Sequence, residues 1–255
     1  MSLAPHAEPF YAAAEPGADG RRVGVLLSHG FTGSPASMVP WGRYLAEKGY
    51  AVAVPRLPGH GTTWREMNRT TWADWYGEVE AGFDALAADV DEVVVGGLSM
   101  GGALVLRLAA ERGREVAGIV LVNPAVNTTR KDVLALPVLK HLVPSFPGIA
   151  DDIKKAGVSE YGYTKTPLRA THSMLTAWKP LRAELPRVTQ PMLIFRSATD
   201  HTVDPSSAKI ITSTVSSRDV TERILDDSYH VATLDNDAPT IFAESTAFIE
   251  RVTAT

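Results

Sequence analysis

The sequence predicts an α/β fold, a mainly parallel central sheet flanked by helices with a small helical insertion. Three observations predict it. Apolar, β-branched runs recur along the chain with a long helical pattern between most of them, a spacing that calls for right-handed crossovers between parallel strands. That alternation stops from about Thr128 to Pro180 and then resumes, so the core is expected in two parts, 1–127 and 181–255, with a cap at 128–180. Ser28-His29-Gly30, Pro55, Ser99 and Asn123 all fall at carboxyl ends of expected strands, the edge at which open α/β sheets bind ligands.

The elements follow in order. Residues 1–20 read as a loose lead-in with an edge strand at Pro9–Ala13; Pro5, Glu8, Glu15 and Pro16 interrupt any signal-peptide core. Val23–Ser28 is a buried strand. A helix is expected from about Ala36 to Lys48, stopped by Gly49. Ala51–Val54 is the next strand. Trp72, Trp75, Val79, Phe83 and Leu86 mark a helix within Thr71–Val90. Val93–Val95 and Val116–Val122 are strands either side of a helix that starts after Ser99. Gln190–Ser197 is a strand, Ser206 opens a helix, Val220–Leu225 is a last, partly exposed strand, and Pro239–Val252 is the final helix.

Composition narrows the function. The 255 residues are 45% hydrophobic and 21% charged, enough for a sizeable core. A net charge of −4 without a basic stripe speaks against a nucleic-acid partner. With no cysteine, thiolate catalysis, disulfides and Cys-ligated metals are excluded. No apolar run reaches the length of a membrane span, and the expected location is cytoplasmic.

Gly97-Leu98-Ser99-Met100-Gly101 fits the G-x-S-x-G nucleophile elbow. The pentapeptide alone arises by chance roughly once in ten chains of this length. The strand before it and the helix after it are what give it weight. Such a serine needs a base to take its proton, normally a histidine oriented by a buried carboxylate. After an elbow of this kind the acid comes next in the chain and the histidine last. His230 follows the last strand and is the expected base; His201 is expected to face solvent. Four carboxylates compete for the acid. Asp200, at the end of the 190–197 strand, is preferred to Asp204, which reads as a helix cap, and to Asp226 and Asp227, which stand too near His230 in sequence. The oxyanion donors are expected to be the N–H of Met100 and the N–H of Phe31. His29 and His60, each before a glycine, read as structural.

In the insertion, Leu142, Phe146 and Ile149 are expected to line a slot for an apolar acyl chain, although most apolar residues there will pack the cap onto the core. Glu160 reads more often as a solvated side chain than as a contact for a polar head group.

Together HGFTGSP, RLPGHG, GLSMGG, SATDHTVDP and DDSYHVATLD resemble the α/β-hydrolase family, and more narrowly the bacterial monoacylglycerol lipases and small capped carboxylesterases, over residues 20 to 252. The resemblance implies Ser99, Asp200 and His230 as a triad and a lid over a lipid-like substrate. VSEYGYTKTP, residues 158–167, resembles the monoacylglycerol lipases and raises Glu160 as a head-group contact. One departure is Ser197, where many members have glycine three residues before the acid. The expected activity is hydrolysis of lipid-like carboxylic esters, most of all monoacylglycerols, through an acyl-enzyme on Ser99, with no metal or organic cofactor. The expected partner is a small ester, with transient contact to a lipid surface. A short-chain carboxylesterase is the alternative; an acyltransferase or carbon–carbon hydrolase would use the same triad, and a non-catalytic ligand-binding protein is the reading from a different class.

Overall fold

The structure, a computed structural model, describes residues 3–17 and 20–254. The rest of the expected lead-in lies outside them. The strands are β1 (Phe10–Ala12), β2 (Val23–Ser28), β3 (Ala51–Val54), β4 (Glu92–Leu98), β5 (Val116–Val122), β6 (Ser145–Pro147), β7 (Lys165–Pro167), β8 (Met192–Ser197) and β9 (Val220–Leu225). The helices are α1 (Val39–Ala46), α2 (Trp64–Met67), α3 (Trp72–Ala87), α4 (Met100–Arg112), α5 (Leu136–Leu142), α6 (Leu168–Glu184), α7 (Ser206–Thr214) and α8 (Ala238–Thr253). The main sheet runs β1-β3-β2-β4-β5-β8-β9, parallel throughout except for β1, which pairs antiparallel with β3. This is the expected α/β architecture.

Strand periodicity sorts the core onto two faces. Leu26, Val93, Val95, Ile119, Leu121, Met192 and Ile194 pack with α3, α4 and α6. Their neighbours Val25, Leu27, Val94, Val120, Val122, Leu193 and Phe195 pack with α1 and α8 on the other face. In α3 the buried Trp72, Trp75, Tyr76, Val79, Phe83 and Leu86 recur at helical spacing, and Thr71 and Asp74 close its start as a capping box. α4 is buried on almost every side, because strands lie beneath it and helices beside it.

Three expectations change. The helix expected over Ala36–Lys48 splits into a 3₁₀ turn, Pro35–Ser37, and α1, because Pro40 has no N–H to continue the first turn. The insertion is not free of strands: β6 pairs antiparallel with β7. α6 also runs straight through residue 180. Pro180 lies inside it, while Ala170, Met174, Trp178 and Leu181 keep one face in the core.

His29 and His60 lie side by side beneath the carboxyl edge, ring centroids 5.0 Å apart and both fully buried. His29 Nδ1–H donates to Gly30 O (3.0 Å), and its Nε2 accepts from Leu57 N–H (3.2 Å), so its neutral form satisfies both nitrogens. Burial pushes His29 down to about 4 and His60 well below its usual value. Unfolded, each takes a proton near pH 6.5. Below that pH the unfolded chain binds protons the fold refuses, so stability falls as pH drops from about 6.5 towards 4. The expected loss is about 2 kcal/mol per histidine by pH 5. Urea midpoints at pH 7.5 and 5 measure it, and His60→Asn, which cannot titrate, should make the fall shallower.

Candidate active site

Ser99 stands where β4 turns into α4. Its backbone adopts φ 56°, ψ −119°, a conformation that costs a non-glycine residue on the order of 1–3 kcal/mol. The surroundings enforce it. Ser99 N–H donates to Val122 O (3.0 Å), and Ser99 O accepts from Ala125 N–H (3.1 Å). The turn is possible only because two residues lack side chains. A Cβ on Gly97 would lie 2.4 Å from the Gly101 carbonyl, and one on Gly101 would lie 2.1 Å from Ser28 O. Met100 is the first residue of α4, so its N–H is among those a helix leaves without an internal partner. Gly30 abuts the serine: a Cβ there would lie 3.3 Å from Ser99 Cβ. The Gly30–Phe31 backbone therefore runs alongside Ser99, and the Phe31 ring packs edge-on against Trp75 and His60.

His230 lies in the loop after β9 and Asp200 in the loop after β8. His230 Nδ1–H donates to Asp200 Oδ2 at 2.8 Å, and both side chains are 8% exposed. Asp200 Oδ1 accepts two more N–H groups, from Thr202 (2.8 Å) and Val203 (2.7 Å). Burial pushes the Asp200 carboxyl up, but His230 and these N–H groups outweigh it and leave the pKa lowered. For His230 burial pushes the pKa down; Asp200 first, then Glu160 and Asp152, reverse this and leave it raised. Two of the competing carboxylates are engaged elsewhere. Asp204 accepts from Ser206 N–H (2.9 Å) and Thr129 Oγ (3.0 Å), and Asp227 pairs with Lys154 (2.6 Å).

A brace beneath this pair was missed in the sequence. Asn123, at the end of β5 with φ 44°, donates from Nδ2 to Ser197 Oγ (2.9 Å) and His230 O (2.8 Å), and accepts Ser197 N–H at Oδ1 (2.8 Å). Ser197 Oγ in turn donates to Tyr229 O (2.8 Å). Ser197 thus ties the end of β8 to the His230 loop. Only the place of Asn123 at a strand end hinted at this.

The insertion reaches the same edge. Tyr163 hydroxyl donates to Gly59 O (2.8 Å) and accepts Thr62 N–H (2.8 Å). Glu160, expected to be solvated, is 9% exposed; its carboxyl sits so close to Gly33 that a Cβ there would lie 2.8 Å from Oε2. Burial raises it to about 7, against the pull of His230. Leu142, Phe146 and Ile149, expected to line an acyl slot, are 74%, 42% and 56% exposed. Only Leu136 of α5 is buried, so the helix docks by its first turn and leaves the remainder outward. Sequence spacing alone does not say which side of so short a helix is covered. Among the described residues, no group of three or more His, Asp or Glu is placed to hold a metal ion.

Over residues 20–237 the sequence matches the family described as serine aminopeptidase, S33. A thermostable monoacylglycerol lipase of Bacillus sp. (strain H-257) is 41% identical over 96% of this chain and 95% of that protein. A carboxylesterase of Bacillus subtilis (strain 168) is 28% identical over 89% of this chain and 92% of its own length. A solved structure from work on LipS and LipT, two metagenome-derived lipolytic enzymes, superposes with a TM-score of 0.92 at 40% identity, covering 98% of this chain and 100% of that one.

Gly101→Ala should cost about 3 kcal/mol or more, because the added methyl meets the backbone of Ser28 and His29 and has no flexible neighbour to displace. A stability from urea unfolding within about 0.5 kcal/mol of wild type would contradict this packing.

Proposed function

The chain belongs to the serine aminopeptidase S33 family and is a serine ester hydrolase of the α/β-hydrolase fold, and from that premise we propose that Ser99, His230 and Asp200 carry out the hydrolysis of monoacylglycerols. The observation that carries the assignment is the buried 2.8 Å pair of His230 and Asp200 at the same carboxyl edge of the sheet as a serine held on a strained elbow. Asp200 takes the Nδ1–H of His230 and so leaves Nε2 as the basic nitrogen. That nitrogen removes the Ser99 hydroxyl proton as the oxygen attacks the ester carbonyl. The N–H groups of Met100 and Phe31 hold the tetrahedral oxyanion. His230 then protonates the leaving glycerol, takes a proton from water as it attacks the acyl-enzyme, and returns that proton to Ser99 Oγ as the acyl–oxygen bond breaks and the fatty acid leaves. Asp200 stabilises the imidazolium in both steps.

Glu160 is the group proposed to meet the glycerol head. A buried carboxyl at about 7 is present in both forms near neutral pH, and so can accept from or donate to a hydroxyl. The exposed Leu134, Val138 and Leu142 offer apolar contact at intervals of four residues. Leu142 also shares an open groove with Arg65, Arg69, Lys140 and Arg169. This supports transient contact with a lipid surface, strongest where the lipids are anionic. Replacing Leu134 and Leu142 together by serine should weaken co-sedimentation with anionic vesicles and leave hydrolysis of a soluble aryl ester unchanged.

A substrate panel tests the function. Monoacylglycerols of several chain lengths, a triacylglycerol, a short aryl ester and an aminoacyl arylamide are compared under one condition. Wild type should favour a monoacylglycerol by at least about tenfold in kcat/KM, and Ser99→Ala should lose at least about 1000-fold. Glu160→Gln should raise KM for the monoacylglycerol and leave the aryl ester nearly unaffected. Preference for the arylamide would move the reading to the peptidases for which the family is named.

A further inference from the structure

We propose that Asp152 is a positioning residue for His230: a carboxylate of the insertion that holds the acid-bearing and base-bearing loops in one register. It is itself buried, 9% exposed. Its Oδ1 accepts from His201 Nδ1–H at 2.7 Å, and its Oδ2 accepts His201 N–H at 3.0 Å and His230 N–H at 3.4 Å. Its own carbonyl accepts Val231 N–H at 3.1 Å. One side chain therefore bonds to the residue after Asp200 and to the backbone of the base. Asp235 reinforces the join from the other side. It accepts the N–H groups of Lys154 (2.6 Å), Lys155 (2.9 Å) and Tyr229 (2.9 Å).

Asp151 faces the other way. Its backbone stands at φ 55°, and its Oδ1 accepts Glu160 N–H at 2.7 Å and Ser159 Oγ–H at 2.9 Å. Two consecutive carboxylates thus divide the work. Asp151 seats the proposed head-group contact, and Asp152 seats the base. Displacing a base by as little as 1 Å can cost on the order of 100-fold in rate, so a clamp on its backbone acts on turnover rather than on substrate affinity. Asp152 also acts through its charge. With Asp200 and Glu160 it is one of the three carboxylates that raise His230, against the burial that lowers it.

The inference rests on His230 being the base. The experiment measures kcat, KM and the pH profile on a monoacylglycerol for Asp152→Asn, Asp152→Ala and Asp151→Ala, beside Ser99→Ala and His230→Ala. Asp152→Ala should lower kcat about 10- to 100-fold with KM within about threefold. Asp152→Asn keeps an oxygen that accepts from the backbone N–H groups and should recover most of kcat. Its acid limb in kcat/KM should nevertheless move down by about half a pH unit, because a neutral amide no longer favours the imidazolium. Asp151→Ala should chiefly raise KM. An unmoved acid limb in Asp152→Asn overturns the proposal, and so does an Asp152→Ala kcat within about twofold of wild type. If Asp152→Ala does not fold, the pH profile of Asp152→Asn decides alone. Activity retained in His230→Ala would overturn the triad itself; activity lost there but kept in the Asp152 variants would overturn only the role of Asp152.

Discussion

The close backbone approach at Gly97 and Gly101 is the constraint on which the rest of the edge depends. A strand and a helix meet there with no side chain between them. That contact drives Ser99 into a conformation that serine does not prefer. It also brings the start of α4 against the end of β2, so the Gly30–Phe31 backbone passes beside the serine. A looser turn would relax Ser99 and at the same time move it away from both sets of N–H groups.

Sheet order supplies the remaining groups. β4, β5, β8 and β9 are successive neighbours, so their carboxyl ends deliver Ser99, Asn123, Asp200 and His230 in a row. β5 contributes neither nucleophile nor acid. Its terminal asparagine fixes the backbone of the strand that bears the acid and of the loop that bears the histidine. The insertion closes over this row from above, with Asp152 on the two loops and Tyr163 on the turn at Gly59.

Much of this was legible in the sequence, and the reason is periodicity. Buried parallel strands and amphipathic helices write their spacing directly into the chain, so the sheet and its flanking helices could be read from Val23–Ser28 through Pro239–Val252. The placement of Ser99, Asp200 and His230 at strand ends followed from the same pattern. What escaped were groups whose role depends on distant partners. Asn123 and Asp152 act on residues 74 and 49 positions or more away, and nothing local distinguishes them from a surface turn. Glu160 was raised as a contact by resemblance, but its burial escaped in the same way, since that comes from the turn at Gly33 rather than from its neighbours in sequence. The exposure of Leu142, Phe146 and Ile149 was not legible, because apolar character says nothing of which side of a short helix, strand or loop is covered.

The hydrogen bonds between Asn123 and Ser197 bear on how this sequence can drift. Changing Ser197 alone to glycine removes a hydroxyl but leaves the Asn123 amide facing the Tyr229 carbonyl at 3.5 Å, while changing Asn123 alone would strand the Ser197 N–H and the His230 carbonyl. The two losses are therefore unequal, and that of Asn123 costs more. Drift at this edge is thus one-sided: residue 197 can lose its hydroxyl while Asn123 stands, but Asn123 holds two backbone groups that no side chain at 197 replaces.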